Sequence, residues 1–335
     1  MSKLLDRMKK LSTVVGSSAL SKSEFFKYDV TPTAIPILNL AFGGSVFSGL
    51  TGGITMLAGE SRTFKTGLLI QMVKAFQVKH KTGVCVFYDS EFSSLDYWIS
   101  AGIDMDRILH TPVVTIDELK HDMAKLLDSI EPEDKIMFVC DSIGGLASKK
   151  EAMDAVERAD MPVDMTRAKT MNSLFRVVTP VLNKLKIDFV LINSFYETMD
   201  KYPTRVYAGG KKVFLSCDDV FFISRSKITQ KDTKKLDGFT FTLNADKSRT
   251  VIEGSKFPIA VTFQGGIDRY SGLYELAKEA GFIEVSGAWV KLMDFDTKVM
   301  GGNVRVKDIK SEFYEALITN DKFTEFASKK YKLNG

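Results

Sequence analysis

The run Gly59-Glu60-Ser61-Arg62-Thr63-Phe64-Lys65-Thr66 ends in adjacent lysine and threonine, two residue types that can neutralise and order a polyphosphate. It lies between an apolar strand-like run at 54–57 and a helical stretch at 67–79, the context of a P-loop. Backbone N–H groups of such a loop and the helix N-terminus offer an anion site. Lys65 brings a mobile charge to the β and γ phosphates, and the Thr66 hydroxyl can ligate Mg2+. Phe64 stands where the motif has its second glycine, so its side chain must turn aside for the backbone to approach a nucleotide. The competing reading is a chance Lys-Thr pair after a strand.

Two carboxylates fit the same chemistry. Asp141 closes the apolar run at 136–140 and precedes a serine, the pattern of a Walker B aspartate that holds Mg2+ through water. Glu91 follows Asp89-Ser90 at the end of the run at 84–88, on the carboxyl edge of the expected sheet, where ligands bind. As a general base it would orient and deprotonate the water that attacks the γ-phosphate. Against this stands a plain acid near a helix N-terminus, stabilised by the helix dipole.

Such groups need a frame. Short apolar strands at 54–57, 84–88, 136–140 and 189–192 alternate with helical stretches, which means a mostly parallel sheet. The strands are unbroken apolar runs, as expected when helices cover both faces, and the crossovers should be right-handed. Runs at 219–224, 239–243 and 259–263 follow closely and suit an antiparallel extension. The expected class is therefore α/β. It divides into an N-terminal helix and arm (1–50), an ATPase-like core (51–270) and a small C-terminal α/β module (271–335).

Composition sets limits on this reading. With 335 residues, 44% hydrophobic and 26% charged, the chain resembles an ordinary globular protein, and no apolar run approaches a membrane span. Neither an anchor nor a secretory leader is recognised after Met1 to Lys10, so a cytoplasmic location is expected, in the host cell if the chain is phage-encoded. Cys85, Cys140 and Cys217 sit in or beside apolar runs and read as buried thiols. A net charge of +4 does not by itself argue for nucleic acid. Leu4, Leu5, Met8 and Leu11 have helical spacing, and Phe25 and Phe26 follow in a polar context that suits a docking arm. That arm packing on its own subunit is the alternative.

Taken together, GESRTFKT, FYDSEF, FVCDS and LINSF, in this order, resemble the RecA/Rad51 recombinase superfamily. The segments SLDYWISAGID, DMTRAKTMNSLFRVVTP, DKSRTVIEGSKF and GGIDRYSGL extend the likeness to its T4-type phage branch, from about residue 20 to about residue 290. Phe at the position of Phe64 also occurs in that branch. The resemblance implies a RecA-like P-loop ATPase core that uses ATP and Mg2+. It would form helical filaments on single-stranded DNA and catalyse pairing and strand exchange with homologous duplex DNA. A recombination mediator and a single-strand-binding protein are expected partners.

The resemblance also distributes roles. Trp98, seven residues after Glu91, would stack on adenine, with a helix-core tryptophan as the alternative. Lys247 and Arg249 would reach the γ-phosphate of a neighbouring subunit, and Asn193 would carry the polar contact made elsewhere by a glutamine at the position of Ser194. A first DNA loop would span Gly144 to Met165, with Arg167 and Lys169 just beyond it as phosphate contacts. A second would span Ser194 to Phe214, long and polar, with Arg205, Lys211, Lys212, Gly209 and Gly210; a plain surface loop is its alternative. Phe25 and Phe26 would anchor polymerisation, and Trp289 with Lys329, Lys330 and Lys332 would face incoming duplex. A hexameric helicase of the same fold and a DNA-independent scaffold are the rival functions.

Overall fold

Unbroken apolar runs need cover on both faces of a sheet, and the central strands of this chain receive it. A computed structural model describes residues 2–333 except 24, 26–28, 93, 158–165, 200–203, 231 and 293–301. It begins with α1 (Lys3–Leu11) and α2 (Pro36–Gly43). Then β1 (Gly53–Gly59), α3 (Lys65–Lys79), β2 (Val84–Asp89), α4 (Asp96–Ser100), β3 (Ile108–Pro112), α5 (Ile116–Asp128) and β4 (Ile136–Asp141) alternate. Helices α6 (Lys149–Glu157) and α7 (Thr166–Leu185) lead to β5 (Asp188–Asn193). A hairpin of β6 (Phe195–Glu197) and β7 (Arg205–Tyr207), then α8 (Lys211–Ser216), precede β8 (Asp219–Thr229), β9 (Leu236–Lys247), β10 (Lys256–Thr262) and β11 (Gly266–Ile267). The last elements are α9 (Leu273–Glu279), β12 (Ile283–Ser286), β13 (Trp289–Leu292), β14 (Gly302–Arg305), α10 (Ser311–Ile318) and α11 (Asp321–Tyr331).

Among the described residues nine strands form one sheet in the order β11-β10-β9-β8-β1-β5-β4-β2-β3. Pairing is parallel from β8 to β3 and antiparallel from β8 to β11, as the sequence led us to expect. The two-residue period of a strand sorts neighbouring side chains to opposite faces. Leu57, Cys85, Phe87, Met137, Val139, Val190 and Ile192 join one core with α2 and α3. Met56, Val86, Tyr88, Phe138, Cys140, Phe189 and Leu191 join a second core with α5 and α7. Helix α5 starts at a reciprocal cap, in which Thr115 accepts from the Glu118 N–H and Glu118 accepts from the Thr115 N–H, fixing where the chain turns back onto the sheet.

Several segments depart from the expectations. Thr31 to Leu50, expected as part of a docking arm, packs into the chain's own core: Thr31 bridges Leu50, and Asn39 ties the turn together through Thr33 and Val46. The first expected DNA loop contains helix α6. Its remainder at 158–165 lies outside the described residues. The second is no open loop, because a hairpin and α8 occupy it, with 200–203 outside the described residues. Strand β3 was not expected. It is an edge strand in which no residue is buried, and His110 and Thr111 interrupt its apolar sequence. Helix α1 buries none of its residues, and Leu4, Leu5, Met8 and Leu11 are all exposed. The three cysteines are buried and free. No helix among the described residues is long and apolar enough to cross a membrane.

Candidate nucleotide-hydrolysing site

Parallel register aligns the strand ends that carry chemistry. Asp89 lies opposite Asp141, Ala58 opposite Asn193 and Gly59 opposite Ile223. The loop after β1 crosses this edge into α3, and a cleft of about 860 Å3 opens beside it. Gly59, Ser61, Arg62, Thr63, Phe64, Lys65 and Thr66 line the cleft with Glu91, Asp141, Asn193 and Ser194. Glu60 contributes a backbone carbonyl to Lys65.

Phe64 caps α3 with a φ of 64°, the left-handed region that glycine favours. A side chain there costs about 1–2 kcal/mol. The ring stacks on Phe241, centroids 5.1 Å apart, and an aromatic pair returns about 0.5–1.5 kcal/mol beyond the area it buries. Gly67 makes room for it, since a Cβ at that position would lie 2.5 Å from the Phe64 ring.

Lys65 Nζ donates to the carbonyls of Gly59 at 3.0 Å and Glu60 at 2.6 Å. Burial pushes its ammonium pKa down, against the pull of Asp141, Glu91 and Glu60. Thr66 Oγ1 donates to Asp141 Oδ2 at 2.6 Å. Burial lifts the Asp141 carboxyl to about 6; Thr66 opposes this, while Glu91 and Asp89 add to it. Its other oxygen, Oδ1, is buried with no hydrogen-bond partner among the described residues. A hydroxyl beside a carboxylate with an unsatisfied oxygen is a hard donor set that fits Mg2+ shared with phosphates. Among the described residues no group of three or more His, Cys, Asp or Glu side chains offers an all-protein metal site.

The turn bearing Glu91 is held from two sides. Asp89 Oδ1 accepts from the N–H groups of Glu91 at 3.0 Å and Phe92 at 2.8 Å. Ser90 Oγ donates to Ser142 O and accepts from Ser142 N, fastening this turn to the end of β4. Glu91 itself is exposed at the cleft.

Trp98 does not reach the cleft. It is 1% exposed, packed on Phe87 in the core, because α4 turns its indole inward. The preceding residue, Tyr97, is 62% exposed and lines the cleft. Tyr97→Ala is therefore expected to raise the KM for ATP with little change in thermal unfolding. Trp98→Ala should instead destabilise the fold by about 3–5 kcal/mol, read by denaturant unfolding. Sequence reasoning also missed Arg225, Phe239, Phe241 and Phe263, which form the opposite wall. Arg225 donates to Arg62 O at 3.2 Å and stacks over Phe239. Period two puts Phe239 and Phe241 on one face of β9, but the meeting of Phe241 with Phe64 is a tertiary fact.

The remaining candidates lie elsewhere. Lys247 donates to the carbonyls of Phe214, Leu215 and Cys217, and Arg249 pairs with buried Asp218; neither lines the cleft of its own chain. Arg167 is turned inward, donating to Leu146 O and Gly144 O, whereas Lys169 is exposed on α7. Arg205 is held by Asp246 and Phe222, while Lys211 and Lys212 are exposed at the start of α8. Gly209 and Gly210 take φ of 83° and 81° in the turn before it. Asn193 Nδ2 donates to Ala208 O at 3.0 Å, linking the cleft to this turn. Phe25 is 46% exposed, and Phe26 lies outside the described residues.

No family model matches the chain. It is similar to the recombination and repair protein of Enterobacteria phage T4, with 40% identity over 342 aligned positions that cover 99% of this chain and 87% of that protein. It is also similar to protein RecA of Kineococcus radiotolerans, at 26% identity over 78% of this chain and 73% of the relative. For protein RecA of Tropheryma whipplei the identity is 24%, over 78% of this chain and 58% of the relative. With a mostly parallel sheet, a loop ending in Lys65-Thr66 on its carboxyl edge and a 40% identity over 99% of its length to a phage recombination protein, this chain belongs to the RecA family of recombinases.

Proposed function

We propose that this chain hydrolyses ATP to assemble a helical filament on single-stranded DNA and to pair that strand with a homologous duplex. Family membership makes it a recombination and repair protein with DNA-dependent ATPase activity. The observation that carries the site assignment is the 2.6 Å hydrogen bond between Thr66 and Asp141 at the mouth of α3, with Lys65 beside it.

The loop N–H groups and the positive end of α3 bind the phosphates, and Lys65 exchanges its carbonyl partners for the β and γ oxygens. Thr66 and Asp141 hold Mg2+, which when bound neutralises phosphate charge. Glu91 orients the attacking water and takes its proton as the bond from the γ-phosphorus to ADP breaks. Tyr97 offers its ring to the base, and Asn193 reports the cleft's state to the turn at Ala208. Lys247 and Arg249 serve the neighbouring subunit's nucleotide, for which they must give up their present acceptors. Lys169, Arg205, Lys211 and Lys212 neutralise DNA phosphates, with the N–H of Gly209 beside them, while Gly210 donates its N–H to Tyr207 O and shapes the turn. Arg167 acts behind them by shaping the turn at Gly144. Phe25 and the apolar face of α1 supply the head-to-tail contact that builds a helix of subunits. Base pairing supplies sequence choice, so DNA contacts are indifferent to sequence. A mediator and a single-strand-binding protein are the partners such a filament requires.

ATP turnover with Mg2+, with and without single-stranded DNA, imaged by electron microscopy in the same mixture, tests this reading. DNA-stimulated turnover with helical filaments is expected. Closed rings would overturn the filament, and turnover indifferent to DNA would overturn the role of the loops.

A further inference from the structure

The hairpin assigned above to DNA has its arginine already engaged. Arg205 on β7 places Nη1 3.2 Å from Asp246 Oδ2 on β9, while its guanidinium lies 3.8 Å from the centre of the Phe222 ring. The Tyr207 hydroxyl donates to the same carboxylate. The Tyr207 ring stacks on Phe214 of α8, so hairpin and helix move as a unit. Beside the pair lies a cavity of about 580 Å3, lined by Arg205, Tyr207 and Lys211 of this unit and by Asp246 and Glu253. The Arg205 side chain is 39% exposed and that of Asp246 25%, so water and ions reach the pair.

A DNA phosphate presents two anionic oxygens that accept from guanidinium and hydroxyl donors. Asp246 presents the same pattern to the same two donors. We propose that Asp246 is an internal stand-in for a DNA phosphate, holding the β6–β7 hairpin docked on β9 until a strand displaces it from Arg205. The inference rests on the assignment of the hairpin to single-stranded DNA. Exchange is favourable because a partly exposed ion pair is weak, whereas a phosphate contact also releases counterions from the strand. Asp246 directly precedes Lys247, whose Nζ holds the carbonyls at the end of α8. The same stretch of β9 thus fastens both the hairpin and the helix behind it, and displacement at Arg205 loosens the seat of Lys247.

A brace and a stand-in predict opposite signs. If Asp246 only braced the hairpin, its loss would disorder the hairpin and weaken DNA binding. As a stand-in, its loss strengthens binding. The measurement is fluorescence anisotropy of a labelled oligothymidylate on the full chain with Mg2+ and a non-hydrolysable ATP analogue. Asp246→Asn is expected to bind about fivefold tighter than the native chain, and Asp246→Glu to bind as the native chain does. Arg205→Ala should bind more weakly, and adding Asp246→Asn to it should restore nothing. In turnover assays the DNA concentration giving half the maximal rate should fall in Asp246→Asn by the same factor. Asp246→Ser likewise removes the carboxylate while leaving both donors in place, should shift affinity in the same direction, and carries the test if Asp246→Asn does not fold. Equal or weaker binding by Asp246→Asn and Asp246→Ser overturns the inference, as does an Arg205→Ala chain with native affinity. A native chain that binds no oligothymidylate would overturn the DNA assignment itself.

Discussion

Lys65→Ala is expected to lower ATP turnover by about 10²- to 10³-fold, with thermal unfolding close to that of the native chain. The two halves of this expectation have separate causes. Lys65 has its ammonium partly buried, and its pKa is depressed chiefly by that burial, so the native fold gains little from keeping it charged there. Its hydrogen bonds go to the Gly59 and Glu60 carbonyls, and the open cleft lets water replace it. A nucleotide offers no such replacement. Without the mobile cation the γ-phosphate loses a donor that follows its charge into the transition state. Calorimetric unfolding and steady-state turnover on one preparation separate the two effects. Native turnover in Lys65→Ala would remove the loop from the chemistry, and a large drop in Tm would make Lys65 a structural residue.

The parts of the fold that local physics dictates were legible in the sequence. Val86 and Phe87, or Phe138 and Val139, are adjacent apolar residues that only a two-sided sheet can bury, and each pair divides between the two cores. Asp89, Asp141 and Asn193 stand at the ends of such runs, so their gathering on one edge followed from parallel order. Tertiary matters were not legible. Counting seven residues from Glu91 selects Trp98, but one helical step of ~100° decides which ring faces the cleft, and that step favours Tyr97. Phe64 reads as a defect in the loop until Gly67 and Phe241 are brought to it. Arg205 reads as a free cation because Asp246, 41 positions away, has no local relation to it. The hairpin was hidden for a related reason: β6 and β7 have three residues each, too few to show a period.

Glu91→Gln tests the chemical step with the least disturbance to the site. The amide keeps the volume of the carboxylate, and the turn's fastening through Asp89 and Ser90 uses backbone groups of residues 91, 92 and 142, which the change leaves alone. It removes only the proton acceptor. Turnover is expected to fall by about 10²- to 10⁴-fold with the KM for ATP little changed, because no phosphate contact is lost. If hydrolysis is the step that loosens the proposed filament, the variant's filaments should also persist in ATP and disassemble only on dilution of nucleotide, which light scattering can follow. If Glu91 were merely an acid favoured by a helix dipole, the same change would cost about 0.3–1 kcal/mol of stability and leave turnover near native. The two outcomes differ by orders of magnitude in rate, so a single stopped-time phosphate assay beside a melting curve decides between them.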